Sequence, residues 1–301
     1  MNIVFIFGSP RSGTTILANI LGCHPDIAEW YEPYYVWENY FRPTENDIWQ
    51  ENQLNSETRR KLRLDFLLFA KRSKKLIVLD KLPTHAFNLK IIHNIFPDAK
   101  WIHIVRDGRD VTLSMKKEWA KRRRIVEQKD FLGLLKTAFA MLARQPLWRC
   151  RIKALLFELS TIASLNPYKY LNKSRWRGKI GWGPRFENWQ EYLSTHSSIE
   201  FNAMQWVESV QATRRYWPNL PEENKIEIRY EDLLRSSEET ISKVLNTLGA
   251  EASPGFFEGI PKLKRDNSAK WKTGLTGEEC CRIKPVLEST LCDLGYAHPT
   301  E

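Results

Sequence analysis

Ile3-Val-Phe-Ile-Phe-Gly8-Ser-Pro-Arg-Ser-Gly-Thr-Thr15 runs directly into Ile16-Leu-Ala-Asn-Ile-Leu21. The apolar run Ile3 to Phe7 reads as a buried strand, and Thr15 to Leu21 carries apolar residues at helical spacing. A strand, a Gly-containing turn and a helix start bring amide N–H groups together and add the helix dipole, which predicts an anion cradle. Against the Walker A pattern both glycines, Gly8 and Gly13, fit, but Thr14 stands where the lysine belongs and the cation, Arg11, lies inside the loop. The stretch therefore predicts phosphate binding by Arg11, Ser12, Gly13, Thr14 and Thr15 in a P-loop-type fold.

The same alternation continues outward. Leu76–Leu79, Trp101–Val105 and Ile226–Arg229 are further short apolar runs, each followed by a polar turn and a helical pattern. Those helices read as Asn88 to Asn94, Val111 to Trp119 and Glu238 to Leu248, the last ending at Gly249. Repeated strand–turn–helix units predict an α/β fold, a mainly parallel sheet flanked by helices. With 301 residues, 42% hydrophobic and 27% charged, the chain is expected to form a single domain over 1–301, and disordered or fibrous classes are excluded.

Charge is unevenly placed. Between Lys116 and Arg185 there are 18 Lys or Arg against 4 Asp or Glu, a net of +14, so the other residues sum to −4 of the chain's +10. Within this segment Phe131 to Leu165 shows a helical pattern interrupted at Pro146, and Arg175 to Trp189 reads as an aromatic, Gly-containing loop. The region 120–220 is thus expected to be a basic helical and loop insertion that binds substrate, with a solvated basic face as the plainer alternative. The five cysteines form neither a metal spacing nor a disulfide framework, which fits a reducing, cytoplasmic compartment. No signal peptide and no run of about 20 apolar residues is present, so an integral membrane protein is not expected.

Three further segments carry chemistry. Arg106, at the end of the third strand run, precedes Ser114 by eight residues; a forked guanidinium and a hydroxyl suit a phosphate. Lys81 ends the second strand run in Leu79-Asp-Lys-Leu-Pro83, and Tyr230 opens Tyr230-Glu-Asp-Leu233 at the end of the fourth. Near the C-terminus lie Ala269-Lys-Trp-Lys272 and Leu294-Gly-Tyr296.

In this order the segments resemble sulfotransferases that use 3′-phosphoadenosine 5′-phosphosulfate (PAPS). The Arg form of the loop looks like that of tyrosylprotein sulfotransferases and their bacterial relatives. The resemblance covers 1–120 and roughly 225–300. It implies that Arg11 to Thr15 hold the 5′-phosphosulfate, Arg106 and Ser114 the 3′-phosphate, that Tyr230 and Lys270 contact the nucleotide, and that Arg265 or Ser268 adds a donor. It places Lys81 and Arg11 on the transferring group and Glu32 as the general base, with Glu29 as its nearest competitor. Trp30, Tyr31, Tyr34, Tyr35 and Trp37 would wall the acceptor pocket, and His24 would cap the first helix.

The implied reaction moves a sulfonate group from PAPS to a hydroxyl or an amine, with no metal. The acceptor, a small molecule, glycan, lipid or peptide, would be anionic to match the basic segment. Contact of 131–165 with a membrane surface is compatible with the pattern; specific nucleic-acid binding is not expected. Two alternatives compete. A P-loop kinase would use Leu76-Ile-Val-Leu-Asp80 as a Walker B strand, and a basic nucleic-acid-binding module would account for the +14 segment.

Overall fold

The computed structural model describes residues 2–41, 45–127, 143, 182–252, 254–260, 263 and 267–296. Apart from residue 143, the expected 131–165 helix lies outside those residues, as do the 175–181 part of the aromatic loop and Arg265. Five strands form one sheet in the order β2-β3-β1-β4-β5, and every neighbouring pair is parallel. They are β1 (Asn2–Phe7), β2 (Ile27–Tyr31), β3 (Ile77–Lys81), β4 (Lys100–Val105) and β5 (Lys225–Arg229).

The central strand explains the sheet. Val4 and Ile6 face a cluster with Leu17, Leu21 and Ile104, whereas Phe5 and Phe7 face Trp101, Phe66 and Phe96. A parallel strand covered on both faces has to be apolar throughout, which is why β1 carries no polar alternation. Full burial of side chains of this size contributes roughly 1.5–3 kcal/mol each before entropy is counted.

Helices α1 (Thr14–Gly22), α2 (Tyr34–Trp37), α3 (Ser56–Ser73), α4 (Leu89–Ile95) and α5 (Gly108–Glu127) follow in chain order. Asn55 caps α3 by accepting from the Thr58 N–H at 2.8 Å. Beyond residue 182 come α6 (Trp189–Thr195), α7 (Ser198–Tyr216), α8 (Tyr230–Arg235), α9 (Ser237–Leu248), α10 (Pro254–Glu258), α11 (Trp271–Gly274) and α12 (Gly277–Asp293). Helix α7 packs against α5 and α12 through Val111, Met115, Trp206, Val210 and Leu287. No helix among the described residues is long and apolar enough to cross a membrane.

Two differences from the sequence reading matter. Strand β2 was not expected, because Glu29 interrupts the apolar run and an edge strand needs less hydrophobic character. Its register is nevertheless firm: Ile27 to Tyr31 lie opposite Ile77 to Lys81. Second, β3 starts one residue later than the expected Leu76, while Lys81 ends it as expected. The chain places β3 on one side of β1 and β4 on the other. This reversal opens a crevice at the carboxyl ends of the strands, where open α/β sheets take ligands.

Candidate active site

The crevice holds a cleft of about 640 Å³ lined by Pro10, Arg11, Gly13 to Ile16, Tyr31, Glu32, Pro83, Arg106, Asp110, Ser114, Lys117, Trp182, Tyr230, Asn267 and Lys270, among others; Ser12 is buried behind this lining. The loop follows from the end of β1. The Ser12 N–H donates to the Ser9 carbonyl at 3.1 Å, and α1 begins at Thr14 with Gly13 as its N-cap. Gly13 has φ +100°, and a Cβ there would meet Tyr230 Cδ2 at 2.4 Å. Gly8, at φ +152°, passes so close to β4 that a Cβ would lie 2.3 Å from the Ile104 carbonyl oxygen. Both glycines are therefore dictated by neighbours remote in sequence.

Backbone strain gathers here. Arg11 (φ 70°), Glu32 (φ 39°) and Ala269 (φ 56°) are non-glycine residues with positive φ. The first two line the cleft and the third abuts Lys270. Such conformations cost on the order of 1–3 kcal/mol each and persist where surroundings over-determine them, which marks this region as one built for a task.

Arg106 sits at the hub. It donates from Nη1 to the Arg11 carbonyl at 3.1 Å and from Nη2 to the Asn267 carbonyl at 2.7 Å. Its guanidinium lies 4.4 Å from the centre of the Tyr230 ring. Trp206, buried in α7, donates to the Arg106 carbonyl at 3.1 Å and fixes the strand end. Arg106 Nε and Ser12 Oγ are buried with no partner among the described residues. Unmatched buried donors cost free energy, and Arg106, which carries one, lines the cleft, so the cleft fits an anionic ligand with oxygen acceptors.

The other expected residues gather around this hub. Arg11 donates from Nε to Ser114 Oγ at 2.9 Å, which joins the loop to α5. Thr14 and Thr15 line the cleft at the start of α1, and Lys270 lines it from the start of α11. Lys81 is fully buried; its Nζ donates to Thr15 Oγ1 at 3.0 Å and to Glu32 Oε1 at 2.5 Å, and lies 4.5 Å from the Tyr31 ring centre. Tyr230 is 1% exposed and accepts at its hydroxyl from Asn267 Nδ2 at 2.6 Å. Its ring holds Gly13 and Arg106 in place.

Several sequence expectations need correction. Glu29 lies outside the cleft lining, on β2 beside the end of α1. Of the supposed aromatic wall, Trp30, Tyr35 and Trp37 belong to the core beneath the sheet; Tyr31 lines the cleft. His24 does not cap α1: its Nε2 meets the Glu251 carbonyl at 2.9 Å and its Nδ1 accepts from the Asp26 N–H. Glu231, in the same Tyr230-Glu-Asp-Leu233 segment, turns away from the cleft. It accepts from the Asp107 N–H at 3.1 Å and from the Tyr296 hydroxyl at 2.9 Å, tying the end of β4 to the C-terminal segment. Asp80 loses any Walker B role, because the strand alternation turns it away from Lys81. It is buried, accepts from Trp37 Nε1 at 2.7 Å and lies 3.2 Å from His85 Nε2.

The reading from sequence missed Asp110, Asn267, Lys117 and Trp182 as cleft residues. Asp110 is buried. Asn267 and Trp182 carry no local signal; they arrive through long-range packing. The Trp182 carbonyl accepts from Trp119 Nε1 at 3.1 Å and from Gln205 Nε2 at 2.9 Å, which sets the indole beside the cleft.

Comparison with known proteins is consistent with this arrangement. The model of the Sulfotransferase family matches residues 3–153. The nodulation protein NoeE of Sinorhizobium fredii is 26% identical over 132 residues, which cover 39% of this chain and 32% of that protein. The omega-hydroxy-beta-dihydromenaquinone-9 sulfotransferase Stf3 of Mycobacterium tuberculosis is 36% identical over 83 residues, covering 28% of this chain and 19% of that protein. The chain thus aligns with about a third or less of the length of these curated relatives. Among solved structures, the sulfotransferase domain from the curacin biosynthetic pathway superposes with a TM-score of 0.55 at 16% identity, covering 99% of each chain. That likeness establishes the fold.

Proposed function

Because the chain belongs to the sulfotransferase family, we propose that it transfers a sulfonate group from PAPS to an acceptor hydroxyl, or less readily to an amine. One observation carries the reading: an anion loop, a cation hub with unmatched donors and a Lys–carboxylate pair converge on one cleft.

In this reading Arg11, Ser12, Gly13, Thr14 and Thr15 hold the 5′-phosphosulfate through loop amides, hydroxyls and one guanidinium. Arg106 and Ser114 take the 3′-phosphate, with Lys270 as a further cation. Tyr230 acts through Arg106 and Gly13, which it touches. Glu32 accepts the acceptor's proton as the acceptor oxygen bonds to sulfur. The bond between sulfur and the 5′-phosphate oxygen breaks, and 3′,5′-adenosine bisphosphate leaves. Lys81 lies between Thr15 and Glu32, so its ammonium stands where charge grows on the leaving oxygen. Arg11 serves the same end from the loop. This chemistry asks for positioning, charge and one proton acceptor, all of which these side chains supply without a metal.

The acceptor is proposed to be a small molecule, glycan, lipid or peptide, selected by the basic 116–185 segment and by Trp182 beside the cleft. The name of the mycobacterial relative gives a hydroxylated menaquinone as its acceptor, which makes lipid-like alcohols the first to screen. The 120–220 region is read as the acceptor-binding part of a single domain. A cytoplasmic location goes with the free thiols of Cys23, Cys280 and Cys281.

Thermal shift and calorimetry test the donor assignment. 3′,5′-Adenosine bisphosphate should raise the melting temperature more than AMP or ATP, without Mg²⁺. Equal shifts for all three, or a Mg²⁺ requirement, would return the kinase reading to first place. Labelled PAPS then screens acceptors.

A further inference from the structure

We infer that Asp110 is a positioning residue for the nucleotide: its carboxylate latches residues 267–271 onto the cleft and so supplies Asn267 and Lys270 to its wall. The inference rests on the PAPS reading for its ligand, but its geometry stands apart from it.

Asp110 lies in the first turn of α5, one turn after Arg106. Both of its oxygens are used on the same remote segment. Oδ2 accepts from the Ala269 N–H at 2.7 Å and Oδ1 from the Trp271 N–H at 2.9 Å. Two N–H groups on residues two apart can point at one carboxylate only if the chain turns between them. Here the left-handed Ala269, at φ 56°, begins that turn and Lys270 follows in helical conformation.

Other contacts close the same seam. Arg106 Nη2 donates to the Asn267 carbonyl and lies 3.7 Å from Asp110 Oδ2. The Arg109 guanidinium lies 4.2 Å from the centre of the Trp271 ring, and Asp107 in turn holds Arg109 at 2.7 Å.

The chemistry explains why a carboxylate is used beside a site for anions. A free carboxylate in this wall would repel a phosphate. Asp110 is buried, however, and its charge is taken up by two backbone N–H groups and the Arg106 guanidinium. Charge-assisted bonds of this kind are about twice as strong as neutral ones. The latch therefore holds a segment 159 residues away in sequence against α5, beside Arg106, which lines the cleft.

Asp110→Asn places an NH₂ against one of the two N–H groups and should weaken adenosine bisphosphate binding about tenfold or more. The KM for PAPS should rise while kcat at saturating donor stays within about twofold, because Glu32 and Lys81 are untouched. Ala269→Pro deletes one latched N–H and, with its φ held near −65°, also forbids the left-handed turn, all without altering α5, and should do the same. Ala269→Gly keeps the N–H and accepts the positive φ, so binding should be retained. Hydrogen exchange read by mass spectrometry should speed up at 269–271 in Asp110→Asn, with β4 unchanged. Unaltered exchange at 269–271, or wild-type affinity in both Asp110→Asn and Ala269→Pro, would overturn the latch. Failure of the wild-type chain to bind the bisphosphate would instead sink the donor reading, and the exchange result would still decide the latch.

Discussion

Lys81 Nζ lies 2.5 Å from Glu32 Oε1 although 49 residues separate them. The sheet register brings this about: Tyr31 is paired with Lys81 across β2 and β3, so Glu32, the next residue, leaves its strand beside the lysine. The positive φ of Glu32 then turns the chain toward α2. A one-residue slip of β2 would swap which side chains face the cleft and break the pair.

The pair gives the first prediction. Glu32→Gln keeps the size of the side chain but cannot accept the proton, so kcat should fall about 10²–10⁴-fold with adenosine bisphosphate affinity intact. Glu29→Gln, outside the cleft, should do far less. Lys81→Met should also lower kcat, and the double variant should lose less than the product of the two, because contacting residues are not additive. Near-wild-type turnover in Glu32→Gln, with chemistry shown to be rate-limiting, would remove Glu32 as the base.

Gly13 gives the second. Its replacement by Ala drives a methyl into the Tyr230 ring, 2.4 Å away, at a backbone angle that alanine disfavours. A loss of roughly 2–4 kcal/mol in unfolding free energy is expected, together with weaker bisphosphate binding. Tyr230→Leu in the same chain should restore part of the stability and none of the binding, since Arg106 loses its ring. Chemical denaturation and calorimetry on the wild type and the two variants decide the matter, and a stable, fully binding Gly13→Ala would show that the loop can relax.

The basic segment gives the third. Residues 122–124 lie on α5, whose earlier turns carry Ser114 and Lys117 at the cleft. Reversing Arg122, Arg123 and Arg124 to Glu should raise the acceptor KM and flatten its salt dependence, and leave bisphosphate affinity within a few-fold. A collapse of nucleotide binding with unchanged acceptor kinetics would reverse the assignment.

His103 gives the fourth, on stability. Its ring is buried, stacked 5.5 Å from Phe7, with Nδ1 donating to Glu227 Oε2 at 2.8 Å. Burial holds its pKa below the ordinary histidine value, outweighing the Glu227 carboxylate that raises it. The folded chain therefore binds this proton less readily than the unfolded chain does. Stability is complete above about pH 6.5 and declines as pH falls toward the depressed folded value. Melting temperatures from pH 7.5 to 5 should show the decline, and His103→Gln should flatten it. A slope unchanged by that substitution would assign the titration to another group.

The phosphate loop, its strand and its helix were legible because each rests on neighbours in sequence: an apolar run, a turn with two glycines and a helical period. Arg106 and Lys81 stood out because strand ends are where such sheets place ligand groups, and Ser114, on α5, was reached through its spacing from Arg106 and the resemblance. Glu32 was reached through resemblance, since no local pattern distinguishes it from Glu29. Tertiary structure decided the rest. Asp110 looks like any acid in the first turn of a helix until the 267–271 segment folds onto it. Trp182 is one tryptophan among twelve until Gln205 and Trp119 fix its carbonyl. Asp80 and Lys81 are adjacent in sequence, and only the pleat of β3 sends one to Trp37 and the other to Thr15 and Glu32, which line the cleft. Local pattern determines elements and the chemistry available at their ends. Which of those groups meet is decided by sheet register and by contacts across more than a hundred residues, which no short window of sequence contains.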